Sequence, residues 1–444
     1  MTISLSDSAI YGGLFSDPEM VRLFDDAAQL RAMAAVEGAL ARCQGRMGAI
    51  PMEAAERISE VCEVFADGHA APDPDRIASG TSADGIPVPA FVRALREAVG
   101  EPAAAYIHFG ATTQDIMDTA LILRVREAFE ILERRLAGLS TGLESLIATH
   151  RDTPMVGRTR SMQATPTTFG LKCANWRAPL LRQQRRLDAL RPHALLLAFG
   201  GAAGTMAAYG EDALSLEAAM ARELNLGLAA LPWHAARDPI LEIGGWLGQL
   251  AAILGKIGVD LMHLSSSEVG EISLSGGGSS TMPNKVNPVG PEVLVAIARA
   301  SATRLADLHQ AALAEHERGG AAWMLEWQSL PQLVVLAGAA TRQAQETLAS
   351  MRVEPERMRD NLDRSLQLVL AEAATFALAE HMPRPEAASL VKATCVQVRE
   401  TGTPLLLLLQ KATDAPVDWV ALADPLMAAG QAGPLVDRAL RRHL

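Results

Sequence analysis

The sequence predicts an all-α protein of three helical domains, and three observations carry that prediction. Hydrophobic residues make up 49% of the chain but aromatic residues only 4%. The apolar fraction is dominated by Ala and Leu, which are strong helix formers, whereas β-rich chains draw on aromatic and β-branched residues. Apolar residues then recur at steps of three and four along two stretches. One is Leu132, Leu136, Leu139, Leu143 and Leu146; the other is Ile243, Leu247, Leu250, Leu254, Ile257, Leu261 and Leu264. Such steps place one apolar stripe along a helix.

In chain order, residues 1–105 read as an N-terminal domain of short helices, interrupted by Pro51, Pro72, Pro74, Pro87 and Pro89. Residues 106–351 read as a central bundle. Its two striped helices have room for about 25–35 residues each, on the order of 40–50 Å at ~1.5 Å per residue. Three more long helices are expected there. One spans about 167–191 and is stopped by Pro192. One spans about 291–315, with Pro291 at a favoured first-turn position. The last spans about 330–351. Residues 352–444 read as a C-terminal domain of short helices, interrupted by Pro383, Pro385, Pro404, Pro416, Pro425 and Pro434. A thin bundle cannot bury its stripes alone, so they are expected to pack on the same helices of other subunits.

Composition narrows the function. A formal charge of −11 excludes blanket binding to nucleic acid or to an anionic membrane. The four cysteines, Cys43, Cys62, Cys173 and Cys395, form no CxxC pair, so they read as reduced, buried thiols of a cytoplasmic protein. Met1 to Asp17 has no basic stretch leading into an apolar one, and no apolar run approaches the ~20 residues of a membrane span. No HExxH or other metal spacing occurs among the ten histidines. Gly200-Gly201-Ala202-Ala203-Gly204 is not a dinucleotide fingerprint. Neither a metal nor a cofactor is expected.

Three polar segments lie beside the ends of the long helices. The first, His108-Phe109-Gly110-Ala111-Thr112-Thr113-Gln114-Asp115, sets two hydroxyls just before a helix. The free N–H groups and positive dipole end there attract carboxylates, although a Thr or Asp at that place also serves as a plain cap. The second, Gly157 to Thr168, holds Arg158, Arg160, Gln163 and several hydroxyls in a stretch read as opening a helix, a cradle for an anion. The third runs from Gly276 to Pro288. Its glycines and serines suit a linker, but Met282, Pro283, Lys285, Asn287 and Pro288 do not. A Gly-rich start leading into a stiff segment with an amine and an amide suits a lid over a bound anion.

In this order the segments, HxGxTxxD, GRTxxxxATP and GSSxMPxKxNP, resemble the three motif regions of the fumarase/aspartase superfamily. The resemblance implies a homotetramer with a twenty-helix core, in which each active site draws its three regions from three subunits. It implies addition or elimination β to a carboxylate, with Ser279 as the base on carbon and Lys285 and Asn287 holding the carboxylate where charge develops. Ser280, Met282, His108, Thr112, Thr113, Gln114, Arg158, Arg160, Gln163 and Arg318 are then expected to contact a small polycarboxylate. Within the superfamily the chain is most similar to the bacterial carboxymuconate cycloisomerases of aromatic catabolism. That similarity rests on Tyr106–Thr119, Leu195–Gly204, Pro232-Trp233-His234 and the run from Glu315 to Pro331. Adenylosuccinate lyases carry hydroxyls and an arginine after the Glu-Arg pair to hold a phosphate. This chain has Ala321, Ala322, Trp323 and Trp327 there, which would leave a phosphate unpaired. The chain departs from the superfamily pattern at Arg160 and Gln163, where relatives carry a histidine, and at Asn284 and Val286 in the loop. Two other readings follow from the same resemblance: a fumarate-releasing C–N lyase, and a non-catalytic structural member.

Overall fold

A computed structural model describes residues 4–69, 71–278, 282 and 284–441. Among these, the chain forms nineteen α-helices and two small two-stranded antiparallel sheets, so the all-α expectation holds. Five helices are long: α1 (Thr113–Thr149), α2 (Phe169–Ala194), α3 (Asp238–Leu264), α4 (Val289–Ala311) and α5 (Gly320–Ser350).

Three local expectations are corrected. The segment from Pro154 to Thr168 does not simply open a helix. It is a hairpin, β1 (Pro154–Thr159) against β2 (Met162–Thr168), with Arg158 opposite Gln163. Its Thr and Val residues favour a pleated strand, and α2 starts only at Phe169. Pro192 does not stop α2, which continues to Ala194, because in a final turn a proline forfeits little more than one N–H bond. Helix α5 begins near residue 320 rather than 330 and carries Pro331 inside it. There the proline deprives the Trp327 carbonyl of its helical partner without ending the helix.

The chain divides into two compact units that both draw on the long helices. The first comprises residues up to 135, 183–252 and 296–342. Its core joins Met33, Leu40, Ile58, Phe91 and Leu95 to Ile116, Phe199 and Met220. Within it, Gln183 on α2 donates to the Trp246 carbonyl at 2.7 Å, and the Trp246 indole donates back to the Gln183 carbonyl at 3.0 Å, tying α2 to α3. The second unit comprises 136–182, 253–295 and 343 onward. Its core contains Val156, Leu362, Leu378, Val391, Val398, Leu405 and Leu409. There the Trp176 indole reaches Asp260 at 2.7 Å.

The apolar stripes are not left for other subunits. Leu132, Leu136, Leu139 and Leu143, and all seven residues of the second stripe, are at most 3% exposed within the single chain. Leu146 is half-buried and Ile147 takes its place inside. Helix α3 is long and apolar enough to cross a membrane, yet most of that stretch is buried in the protein, as suits a core helix. Three cysteines are buried as expected, while Cys395 is only partly so.

The N-terminal segment is anchored onto α1 and α5 by Asp17. This fully buried carboxylate caps the Pro18–Phe24 helix through the Met20 N–H at 3.1 Å and accepts from Arg135 at 2.8 and 3.2 Å. Arg135 also donates to the Gly338 carbonyl at 3.0 Å. Met20 and Asp17 lie where a side chain at Gly338 would stand. Gly338→Leu is therefore expected to destabilise the fold by about 1–3 kcal/mol through overpacking, measured as a lower urea midpoint than that of the wild type. An unchanged midpoint would contradict the packing described.

Candidate active site

The first motif segment lies in the first unit, at the start of α1. Asp115 occupies the third helical position and accepts from the Thr112 N–H at 2.9 Å, closing the helix start as a capping box does. It also accepts from the Gly200 and Gly201 N–H groups, at 2.9 and 3.1 Å, and from His234 Nε2 at 2.8 Å. His234 therefore carries its proton on Nε2, and its Nδ1 is buried without a partner. One buried carboxylate thus fixes the helix start, the 200–201 turn and the segment before α3. Gly110 has a φ of 79°, and the Tyr209 ring lies where its Cβ would be, so only glycine fits there.

Arg318, just before α5, closes the cradle. It donates to the Gln114 carbonyl oxygen at 2.8 Å, to Thr112 Oγ1 at 3.1 Å and to the Gly201 carbonyl at 3.2 Å. Thr112 Oγ1 accepts from that cation, so its own O–H remains a donor. Gln114 is buried, and its amide nitrogen donates to Asp118 at 2.9 Å and to the His234 carbonyl at 3.0 Å. Both ends of that amide are engaged inside the protein, so Gln114 acts by positioning Arg318. Thr112, Thr113 and Arg318 are partly exposed and line the cradle.

Beneath it lies a buried charge network. Arg237 donates twice to Glu326, at 2.8 and 2.6 Å, and once to Asp118 at 2.6 Å, over the face of Trp233. Burial pushes the Glu326 carboxyl upward, and the Arg237 guanidinium opposes it. The Trp323 indole donates to Asp118 at 2.9 Å. Trp323 is thus a core residue rather than a wall of the site, and only its edge-on neighbour Trp327 is partly exposed. Asp118, Arg237 and Glu326 are too far apart in sequence for any short motif to reveal them.

His108 stands at the edge of this segment with a φ of 63°. Its Nδ1 meets the buried carboxylate of Glu37 at 2.6 Å. Burial disfavours the charged ring, but Glu37 outweighs it by charge and hydrogen bond. Asp115 adds to that effect, Arg96 opposes it, and the net shift is upward.

The other two motif segments lie in the second unit. Arg158 forms a two-pronged pair with the fully buried Glu271, at 2.9 and 2.6 Å, and Asn361 also donates to Glu271 at 3.0 Å. Its charge is balanced inside the protein, which suits a support for the hairpin better than a free anion ligand. Arg160 and Ser161 form the two-residue turn with φ of 50° and 66°, the type that asparagine and glycine favour. Arg160 and Gln163 are both exposed at that tip. In the loop, Gly278 bridges Val286, and Asn287 N–H donates to the Gly277 carbonyl at 2.8 Å. Gly277, at a φ of 73°, lies so close to the Asn287 backbone that no Cβ fits. Lys285 N–H donates to the Met282 carbonyl at 3.0 Å, while the Lys285 and Met282 side chains are exposed and Asn287 is partly so. The expected base Ser279 and its neighbour Ser280 lie outside the described residues.

The His108–Glu37 pair predicts a pH dependence. The folded ring titrates above its ordinary value of 6.5, so the pair contributes fully below that value and its contribution is lost as pH rises through the raised one. The stability difference between wild type and His108→Gln is expected to shrink from about pH 6 to pH 9, read from thermal midpoints. A difference that stays flat over that range would refute the pairing.

Comparison with known proteins now gives these segments a family. The profile of a family described as lyase matches residues 15–301. The chain is 38% identical to a 3-carboxy-cis,cis-muconate cycloisomerase of Pseudomonas aeruginosa, over 98% of this chain and 96% of the relative. It is equally identical, 38%, to a nitrosuccinate lyase of Streptomyces davaonensis, over 98% of this chain and 94% of the relative. The crystal structure of a 3-carboxy-cis,cis-muconate lactonizing enzyme from Pseudomonas putida superposes with a TM-score of 0.91 at 36% identity, covering 98% of this chain and 99% of that one. With all three motif segments in place over the full length of such relatives, the chain belongs to this lyase family, the fumarate lyase superfamily.

Proposed function

We propose that the protein is a cycloisomerase that interconverts 3-carboxy-cis,cis-muconate and its lactone, a step in aromatic catabolism. The observation that carries this reading is the hairpin tip. From Thr159 to Gln163 it offers two hydroxyls, a guanidinium, a thioether and an amide, and no group that donates a proton near neutral pH. In the delactonising direction the leaving group is a carboxylate, whose conjugate acid has a pKa near ~4. It departs without a general acid, whereas an amine or hydroxide does not. The Pseudomonas relatives of the same name support the reading across nearly the whole chain.

In the lactonising direction a substrate carboxylate attacks the diene and Ser279 returns a proton to carbon. In reverse, Ser279 removes that proton and Lys285 and Asn287 stabilise the charge that develops on the neighbouring carboxylate. The Thr112 hydroxyl, Thr113 and the remaining N–H groups of Arg318 hold a second carboxylate. These groups are supplied by different subunits of a homotetramer in the cytoplasm. A second reading, a lyase that releases fumarate by breaking a C–N bond, is favoured by the equally similar nitrosuccinate lyase.

Pure enzyme is expected to abolish the diene ultraviolet absorbance of 3-carboxy-cis,cis-muconate and to leave adenylosuccinate intact. Ser279→Ala should lose at least about a thousandfold in kcat with substrate binding retained, as expected when a reacting group is removed, and Ser280→Ala much less. Unchanged absorbance, with fumarate appearing from a nitrogen-bearing succinate, would move the assignment to the C–N lyase. Shared sites are tested separately: mixing inactive Ser279→Ala with inactive Thr113→Ala should restore part of the activity. A mixture as inactive as its components would refute sites built across subunits.

A further inference from the structure

The first unit contains a cavity of about 540 Å³ that none of the motif cradle residues enters. That is ample for a small ligand, since binding pockets run from about 300 to 1,000 Å³. Its walls are largely apolar, with Phe24, Ile77, Met117, Leu121 and Trp327 among them. Arg124 on α1 also lines it, and this arginine is only 9% exposed. Among the described residues its one hydrogen bond runs from Nε to the Ala120 carbonyl at 3.3 Å. Phe24 lies 5.3 Å from its guanidinium carbon, in cation–π contact, and that leaves the Nη N–H groups without acceptors. Burial lowers its pKa to about 10, and the nearby Asp25 only partly restores it. The Nη groups are not among the fully buried, unpartnered polar atoms, so they keep accessible surface in the cavity that Arg124 lines. A guanidinium so largely buried normally has its donors matched by carboxylates. Every other deeply buried arginine here is matched: Arg237 by Asp118 and Glu326, and Arg177 by Ser140 and Glu144.

The acids near the cavity do not supply that match. Asp118 and Glu326 lie in its wall but already receive the donors of Arg237, Gln114 and Trp323. Asp26 is exposed at the mouth, where water and salt screen it. Arg124 is therefore the cation of this cavity whose donors are not committed to a carboxylate of the chain.

We propose that this cavity binds a small aromatic monocarboxylate, with the ring against Trp327, Met117 and Leu121 and the carboxylate on the Nη groups of Arg124. This site is separate from the Thr112–Arg318 cradle and does not depend on which reaction the cradle performs.

The test uses the full-length protein and benzoate as the probe, followed by calorimetry. Saturable binding of one benzoate per chain is expected, with benzamide and benzylamine at least about tenfold weaker. Arg124→Gln should weaken benzoate by about ten- to a hundredfold, the range of a charge-assisted hydrogen bond. Arg124→Lys should keep part of the affinity. Arg318→Gln should leave benzoate affinity unchanged. The proposal is overturned if benzoate does not saturate, if benzamide or benzylamine binds as well, or if Arg318→Gln rather than Arg124→Gln removes binding. The comparison of probes on the wild type decides the matter even if Arg124→Gln does not fold.

Discussion

The candidate site depends on one buried interaction, the guanidinium of Arg237 held between Asp118 and Glu326. These three groups come from the segment leading into α3, the second turn of α1 and the first turns of α5. Each is at most 4% exposed. Two carboxylates in so dry a place repel each other unless a cation lies between them. Removing one partner of such a network typically costs about 3–5 kcal/mol. The network therefore fixes how the starts of α1 and α5 approach, and with them the distance from Thr112 to Arg318. Asp115, one turn earlier, applies the same logic with neutral donors, gathering four N–H groups onto one carboxylate. The cradle thus rests on carboxylates whose buried charge is matched by donors from several elements.

The sequence made the long helices legible and hid most of this support. Leu132 to Leu143 and Ile243 to Leu264 are periodic, and periodicity is a local signal that the core then confirms. It cannot say what covers the stripe, which is why the single chain, rather than a neighbour, turned out to bury it. The hairpin at 154–168 is not legible in the sequence because its alternation is weak and its turn residues, Arg160 and Ser161, are not the Asn-Gly that marks a two-residue turn. Charge alone also misleads. Arg158 reads as a ligand for an anion beside Arg160, but its partner Glu271 stands 113 residues away. At HxGxTxxD the cap was legible only as a Thr or Asp before a helix; that Asp115 reaches back to the Thr112 N–H is seen in the structure.

A chain with a net charge of −11 that binds a polycarboxylate must concentrate free cations. Arg237 and Arg158 are balanced by buried carboxylates. Arg160, Lys285 and Arg318 keep exposed or partly exposed charge in the motif segments. The division is physical: a buried cation with its own carboxylate holds shape, whereas an exposed one retains donors for a ligand.

Backbone strain follows the same segments. Eight non-glycine residues among those described have positive φ, and four of them, His108, Arg160, Ser161 and His316, lie in or beside the motif stretches. Each costs on the order of 1–2 kcal/mol relative to ordinary backbone. Such a cost persists only where surrounding contacts over-determine the geometry. At His108 the over-determination is visible, since Glu37 holds its ring at 2.6 Å while Gln44 fixes the next carbonyl, that of Phe109, at 2.8 Å. At Arg160 and Ser161 it is the register of β1 against β2, with Thr159 facing Met162 across a two-residue turn. The turn aims Arg160 and the neighbouring Gln163 outward instead of folding them against the hairpin. A histidine at these places, which the family resemblance leads one to expect, would be presented equally well by the same strained turn. The chemistry of the tip, rather than its geometry, therefore bears on the reaction: it suits a leaving group that departs as a weakly basic anion, such as a carboxylate, over an amine or hydroxide.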